Sequence, residues 1–201
     1  VFMFKVTAYL AAASLSLAVL SAPALAGDSN KKELTVYTYD SFVSDWGMGP
    51  LIKPTFEEQC GCTLNLVGME DAVAMLQRLK LEGASSKADL VLGLDLNLVD
   101  DAKKTGLFAG HTVDTSGLNM PIDWQDDAFV PFDYGYFAFV YNTETMPNPP
   151  KSLDELVNAG PELKVIIQDP RSSTPGLGLM LWMKSVYGDQ SDAAWTKLSD
   201  N

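Results

Sequence analysis

The sequence predicts an α/β fold built on a mostly parallel sheet. Three observations carry this. Strand-type and helix-type apolar patterns alternate through residues 34–104, in the order β-α-β-α-β-α. That order gives a parallel sheet with helices on both faces. The run Ala88–Leu94 is almost continuously apolar, as a strand buried on both faces requires. Gly47, Gly83 and Gly106 fall between the patterned segments, where helices stop and the chain turns. Right-handed crossovers are expected. Ligands of such sheets sit beyond the carboxyl ends of the strands. Residues 40–46, 68–71 and 95–97 are therefore the ones to inspect for function.

The elements follow in order. Leu34–Tyr39 alternates and is rich in β-branched and aromatic residues, so it reads as a strand. Pro50–Gln59 places Leu51, Ile52 and Phe56 at helical spacing. Cys62–Val67 reads as the second strand. Asp71–Leu81 is amphipathic, with Val73, Met75, Leu76 and Leu79 apolar and Gln77, Arg78 and Lys80 polar, and Gly83 stops it. Ala88–Leu94 is the third strand, and Leu98–Lys104 a short helix closed by Gly106. Residues 110–127 read as a surface connection. Phe129–Tyr141 is crowded with aromatics and reads as one or two strands, serving either as an interdomain connection or as ordinary core. Pro147, Pro149 and Pro150 form a rigid turn. Ser152 and Glu155 make a capping-box pattern before a short helix. A strand at Lys164–Gln168, a polar turn, and helices at Leu177–Tyr187 and Ser191–Leu198 complete the chain. So few elements cannot bury their own apolar faces as a separate domain, so a second, incomplete lobe is expected.

The N-terminus carries an export signal over residues 1–26. Lys5 precedes an apolar run from Val6 to Leu20, and Ala24-Leu25-Ala26 is a small-x-small cleavage site. A membrane span needs about 20 apolar residues, and this run is shorter. An uncleaved anchor is the alternative. The formal net charge of −12 repels phosphate backbones and argues against a nucleic-acid partner. It suits a cationic small ligand, though acidity also serves solubility. Two cysteines and one histidine are too few for a zinc or iron cluster site. In an oxidising compartment Cys60 and Cys62 either bridge or stay as two thiols, and spacing leaves both open.

No nucleophile elbow, P-loop or dinucleotide fingerprint is present. His111 lies in a turn-rich loop without partners to make it a general base. Glu70-Asp71 reads as a helix N-terminal pair opposing the dipole or as an acceptor for an amino-bearing ligand. Tyr39, Phe42 and Trp46 crowd the exit of the first strand. They are either core or a platform for a cationic heterocycle. Ser172-Ser173-Thr174-Pro175-Gly176 reads as a helix cap, and the same amides and hydroxyls can hold an anion.

Taken together, the runs Leu34–Phe42, Asp45–Gly47, Ser86–Asp95, Phe129–Tyr141 and Gln168–Gly178 resemble the thiamine-binding proteins of bacterial ABC importers. The resemblance covers nearly the whole chain after residue 26. It implies a type II periplasmic-binding-protein-like fold with a hinged cleft: a first α/β lobe over 27–128, an interdomain connection over 129–145 and a partial second lobe over 146–201. It implies a periplasmic, monomeric carrier that passes thiamine or its phosphate esters to a membrane permease, with no cofactor, no metal and no catalysis. Carried over residue by residue, Tyr39 and Trp46 match aromatic cleft residues. Asp71 matches a carboxylate that meets the aminopyrimidine. Ser173 matches the phosphate-facing turn, with Thr174 and Gly176 beside it. His111 and the cysteines stay structural.

Two rivals share the fold. One is a carrier for another solute, such as a ferric ion, a polyamine or a sulfonate. The other is a thiaminase-like enzyme with a cysteine nucleophile. Against the latter, Cys60 and Cys62 fall at the sheet edge opposite the expected cleft, and no histidine lies near them in sequence.

Overall fold

The computed structural model describes residues 32–200, all within one compact unit. The export signal expected over residues 1–26 lies outside the described residues. The first half follows the predicted alternation. Strand β1 runs Lys32–Tyr39, helix α1 Asp40–Val43, α2 Met48–Cys60, β2 Cys62–Met69, α3 Ala72–Glu82, β3 Leu90–Val91 and α4 Val99–Lys104. The sheet order is β2-β1-β3 and both pairings are parallel. The short helix α1 stands where the sequence suggested only a turn.

The helix ends obey local chemistry. Asp71 is the N-cap of α3 and its side chain accepts the Ala72 amide. Gly61 takes φ 61° after α2, which only glycine adopts at no steric cost. That turn brings the Cα atoms of Cys60 and Cys62 to 5.2 Å, and the two are joined as a disulfide. Across one residue of extended chain the two Cα atoms would stand near the upper limit for a bridge. The left-handed turn removes that obstacle.

The first core lies between the sheet and α3. It gathers Tyr37, Met69, Val73, Met75, Leu76, Leu79, Leu98 and Ala102. Tyr37 is 2% exposed and reaches α3 with its hydroxyl, which donates to Glu82 at 3.1 Å and accepts from Arg78 at 3.2 Å. The guanidinium also stands 4.6 Å over the ring. Burying a tyrosine is favourable when its hydroxyl keeps such partners.

In the second half, α5 spans Leu153–Val157, α6 Thr174–Tyr187 and α7 Ser191–Ser199. They share a separate apolar cluster of Leu153, Leu156, Val157, Leu179, Met183, Ala194 and Leu198. The Ser152 half of the capping box at α5 forms as expected, while Glu155 reaches one residue further back. Ser152 accepts the Glu155 amide, and the Glu155 carboxylate accepts the Lys151 amide.

Two expected strands are not formed. Phe129–Tyr141 and Lys164–Gln168 run without regular secondary structure. A β pattern becomes a strand only through a hydrogen-bonded neighbour, and no strand pairs with either segment among the described residues. Many of their apolar side chains stay exposed, as at Tyr136, Val140 and Ile166, while Phe129 and Val165 pack against the two cores. The third strand is also shorter than the Ala88–Leu94 pattern. Beyond it, only the amides of Asp89 and Leu92 continue the pairing, to Thr35 and Tyr37 carbonyls at 2.9 Å.

Candidate functional site

The parallel register decides which side chains meet. Tyr39 pairs with Met69 at the carboxyl end of the sheet. The chain therefore leaves β1 and β2 at one level, placing Tyr39, Asp40, Glu70 and Asp71 around the mouth of a cleft. This cavity of about 2120 Å³ continues along β3 to Asp95. Its other wall is the extended segment from Phe129 to Phe137, and the start of α6 closes one end. Its volume exceeds the ~300–1,000 Å³ usual for one small ligand, as expected of an open cleft.

The lining chemistry is one-sided. Seven carboxylates face the cavity: Asp40, Glu70, Asp71, Asp89, Asp95, Asp133 and Asp169. Among the described residues, no lysine or arginine lines it. Aromatic rings alternate with these charges, at Tyr39, Phe129, Phe132, Tyr134, Tyr136 and Phe137. Tyr39 packs edge-on against Phe42 at 5.7 Å, and Phe42 against Phe132 at 6.1 Å. Buried Phe42 thus couples the sheet edge to the far wall.

The electrostatics follow from this crowding. Burial pushes the Tyr39 phenol up, and the Asp133 and Asp71 charges push it the same way. The phenol stays neutral and can donate a hydrogen bond. Burial also raises Asp95, with a smaller push from Asp71, against the Asn97 side chain and the Asn97 and Leu98 amides, which hold it down. Asp169 behaves oppositely. Its hydrogen bonds from the Arg171 side chain and amide hold it at about 2.

Of the residues singled out from sequence, the structure brings four together: Tyr39, Asp71, Ser173 and Thr174 all line the cavity. Asp71 accepts the Thr174 amide at 2.8 Å and the Thr174 hydroxyl at 3.2 Å. Ser173 is the N-cap of α6, accepting the Gly176 amide at 3.4 Å, and its hydroxyl also bonds the Gln168 side-chain oxygen. Gly176 is buried behind this turn and does not line the cavity. A Cβ there would stand 2.5 Å from the Gln168 carbonyl oxygen, so its smallness lets the turn close. Trp46 is not brought in. It is 79% exposed and outside the lining. His111 lines the wall, but both ring nitrogens serve its own loop. One accepts the Val113 amide at 3.1 Å and the other meets the Asp126 carbonyl oxygen at 3.1 Å. The disulfide begins β2, at the end of the strand away from the cleft.

Sequence reasoning did not single out Asp133, although it is the only charged residue in the aromatic run Phe129–Tyr141. A lone acid amid seven aromatic rings and two valines was the signal available. Nor did it assign Asp95 beyond marking its loop.

A parallel sheet whose strand ends open onto an acidic, aromatic cleft closed by a second helical cluster defines a solute-binding architecture. The chain belongs to the bacterial extracellular solute-binding proteins: that family's pattern matches residues 85–200. The thiamine-binding periplasmic protein of Escherichia coli strain K12 is 59% identical over 169 residues, 84% of this chain and 52% of that protein. The Brucella abortus protein of the same name is 57% identical over 168 residues, again 84% of this chain and 50% of the relative. A solved periplasmic thiamin binding protein superposes with a TM-score of 0.83 at 58% identity, covering 87% of this chain and 55% of that one. The chain thus spans about half the length of the relatives it matches. A Trichodesmium protein solved with iron and citrate shares the fold, with a TM-score of 0.53 at 18% identity. The fold is therefore the α/β fold of the periplasmic binding proteins.

Proposed function

We propose that the full-length protein is the periplasmic thiamine carrier of an ABC importer, which captures thiamine and its phosphate esters and delivers them to the membrane permease. One observation carries the reading. The cleft presents seven carboxylates and a set of aromatic rings, with no lysine or arginine among the described residues that line it. Thiamine is a cationic aromatic heterocycle. Rings stack on its flat faces and attract its charge, and carboxylates accept from its amino group with charge-assisted bonds. The names of the relatives point the same way.

In this reading Tyr39 supplies a stacking face, Asp71 an acceptor, and the turn of Ser173, Thr174 and Gly176 the place for a phosphate at the start of α6. Trp46, outside the cavity lining, reaches the ligand only if it swings inward. Residues 27–128 form the first lobe, 129–145 the connection and 146–201 part of the second. The protein acts as a monomer and carries out no chemistry on its ligand. Titration of the full-length protein with thiamine in a calorimeter tests this, alongside native mass spectrometry of ligand retained through purification. Saturable binding of thiamine, recovered intact, is expected. No affinity for thiamine or its esters, or release of free pyrimidine, would overturn the reading.

A further inference from the structure

Residues 70–74 and 172–174 lie about a hundred positions apart in sequence, yet they form a hydrogen-bonded clasp. Ser172 Oγ donates to Glu70 Oε1 at 3.0 Å. The Ala74 amide, left free in the first turn of α3, donates to the Ser172 carbonyl at 3.3 Å. Thr174 donates its amide and its hydroxyl to the two oxygens of Asp71. Ser173 Oγ lies 3.4 Å from Asp71 Oδ2. Asp71 therefore sits at two helix starts at once. It caps α3 and takes the amide that opens α6.

A helix N-terminus favours an anion, and here the protein supplies its own. We propose that Glu70 and Asp71 act as an internal anion on the start of α6, so that the clasp sets the preference between phosphorylated and unphosphorylated ligand. This rests on the thiamine reading of the cleft. A phosphate brought to the Ser173–Thr174 turn must take the donors that Asp71 now uses, and it meets two negative charges as it does so. Those charges repel it unless the clasp opens. An unphosphorylated cationic ligand needs none of these donors and is attracted by the same carboxylates. Glu70 lines the cavity and Ser172 does not, and both hold the clasp without a contact of their own assigned to the phosphate, so they are specificity-determining positions.

The test uses the full-length protein with Glu70→Gln, Ser172→Ala and the double variant. Dissociation constants for thiamine and thiamine monophosphate are measured for each. Glu70→Gln should shift the ratio toward the phosphate by about three- to tenfold, as removal of one charge and weakening of one charge-assisted bond predict. Ser172→Ala should shift it the same way, and the double variant should do little more than the larger single change, because both act on one interaction. An unchanged ratio, or a ratio moved toward thiamine, overturns the proposal. A second arm needs no ligand. Spin labels at the exposed positions Glu58 and Asp192 report the distance between α2 and α7. Breaking the clasp should broaden that distribution, and an unchanged distribution overturns it. If the wild type binds neither ligand, the thiamine reading falls while this arm still decides the clasp. Melting curves identify any variant that fails to fold, and Ser172→Ala then carries the test alone.

Discussion

Gly93 stands against the Cδ1–Cε1 edge of the Tyr39 ring. A Cβ on Gly93 would come 2.4 Å from Tyr39 Cδ1, and its backbone holds φ 110°, where side chains are rarely tolerated. The loop after β3 thus forms a floor that fixes how the ring enters the cleft. Gly93→Ala should lower stability by about 1–3 kcal/mol from strain and overpacking. It should also weaken thiamine binding by moving the ring. Thermal melting and calorimetry of the full-length variant check both. An unchanged melting temperature together with unchanged affinity would show that the floor yields freely.

Tyr39 and Trp46 should separate by mutation. Tyr39 lines the cavity, while Trp46 stands 79% exposed outside it. Tyr39→Ala should weaken thiamine binding by about 1–3 kcal/mol through lost stacking and cation–π attraction. Trp46→Ala should change stability by no more than about 0.5 kcal/mol, as exposed positions do, and weaken binding by less than Tyr39→Ala. Equal losses of affinity would mean that Trp46 swings onto the ligand.

The disulfide between Cys60 and Cys62 closes a ring with a single intervening residue. The chain-entropy model gives so small a loop only about 1.5–2 kcal/mol. Replacing both cysteines by serine should therefore lower the melting temperature modestly. It should leave thiamine affinity unchanged, because the bridge begins β2 and the cleft lies past its other end. A change in affinity beyond twofold on reduction would contradict this placement.

Asp169 supplies a pH signature. The Arg171 side chain and amide hold its carboxyl at about 2, below the ordinary 3.8. A depressed folded-state value stabilises the fold above the unfolded-state value. The contribution should be complete above about pH 3.8 and fade as pH falls through about 2. Carboxyl-carbon titration by NMR should show this depression, and Arg171→Ala should return it toward 3.8. A titration near 3.8 in the unmutated protein would mean that the exposed pair is open in solution.

The first half of the fold was legible because its information is local. Alternation in β1, the apolar run near β3 and the amphipathic stripe of α3 state which faces are buried, and burial is what organises a parallel sheet. The caps at Asp71, Ser152 and Ser173 were legible for the same reason, since each bonds an amide no more than three residues away. Residues at the three strand exits line the cavity, because that location follows from topology. Phe129–Tyr141 and Lys164–Gln168 have strand composition, yet a strand needs a neighbour that composition cannot name. Tertiary structure also decided the bridge, since the left-handed turn at Gly61 sets the distance between the cysteines. It placed Asp133 in the cleft and left Trp46 outside. Above all it joined Asp71 to Thr174, because a bond between residues so far apart in sequence exists only once two helix starts are brought face to face.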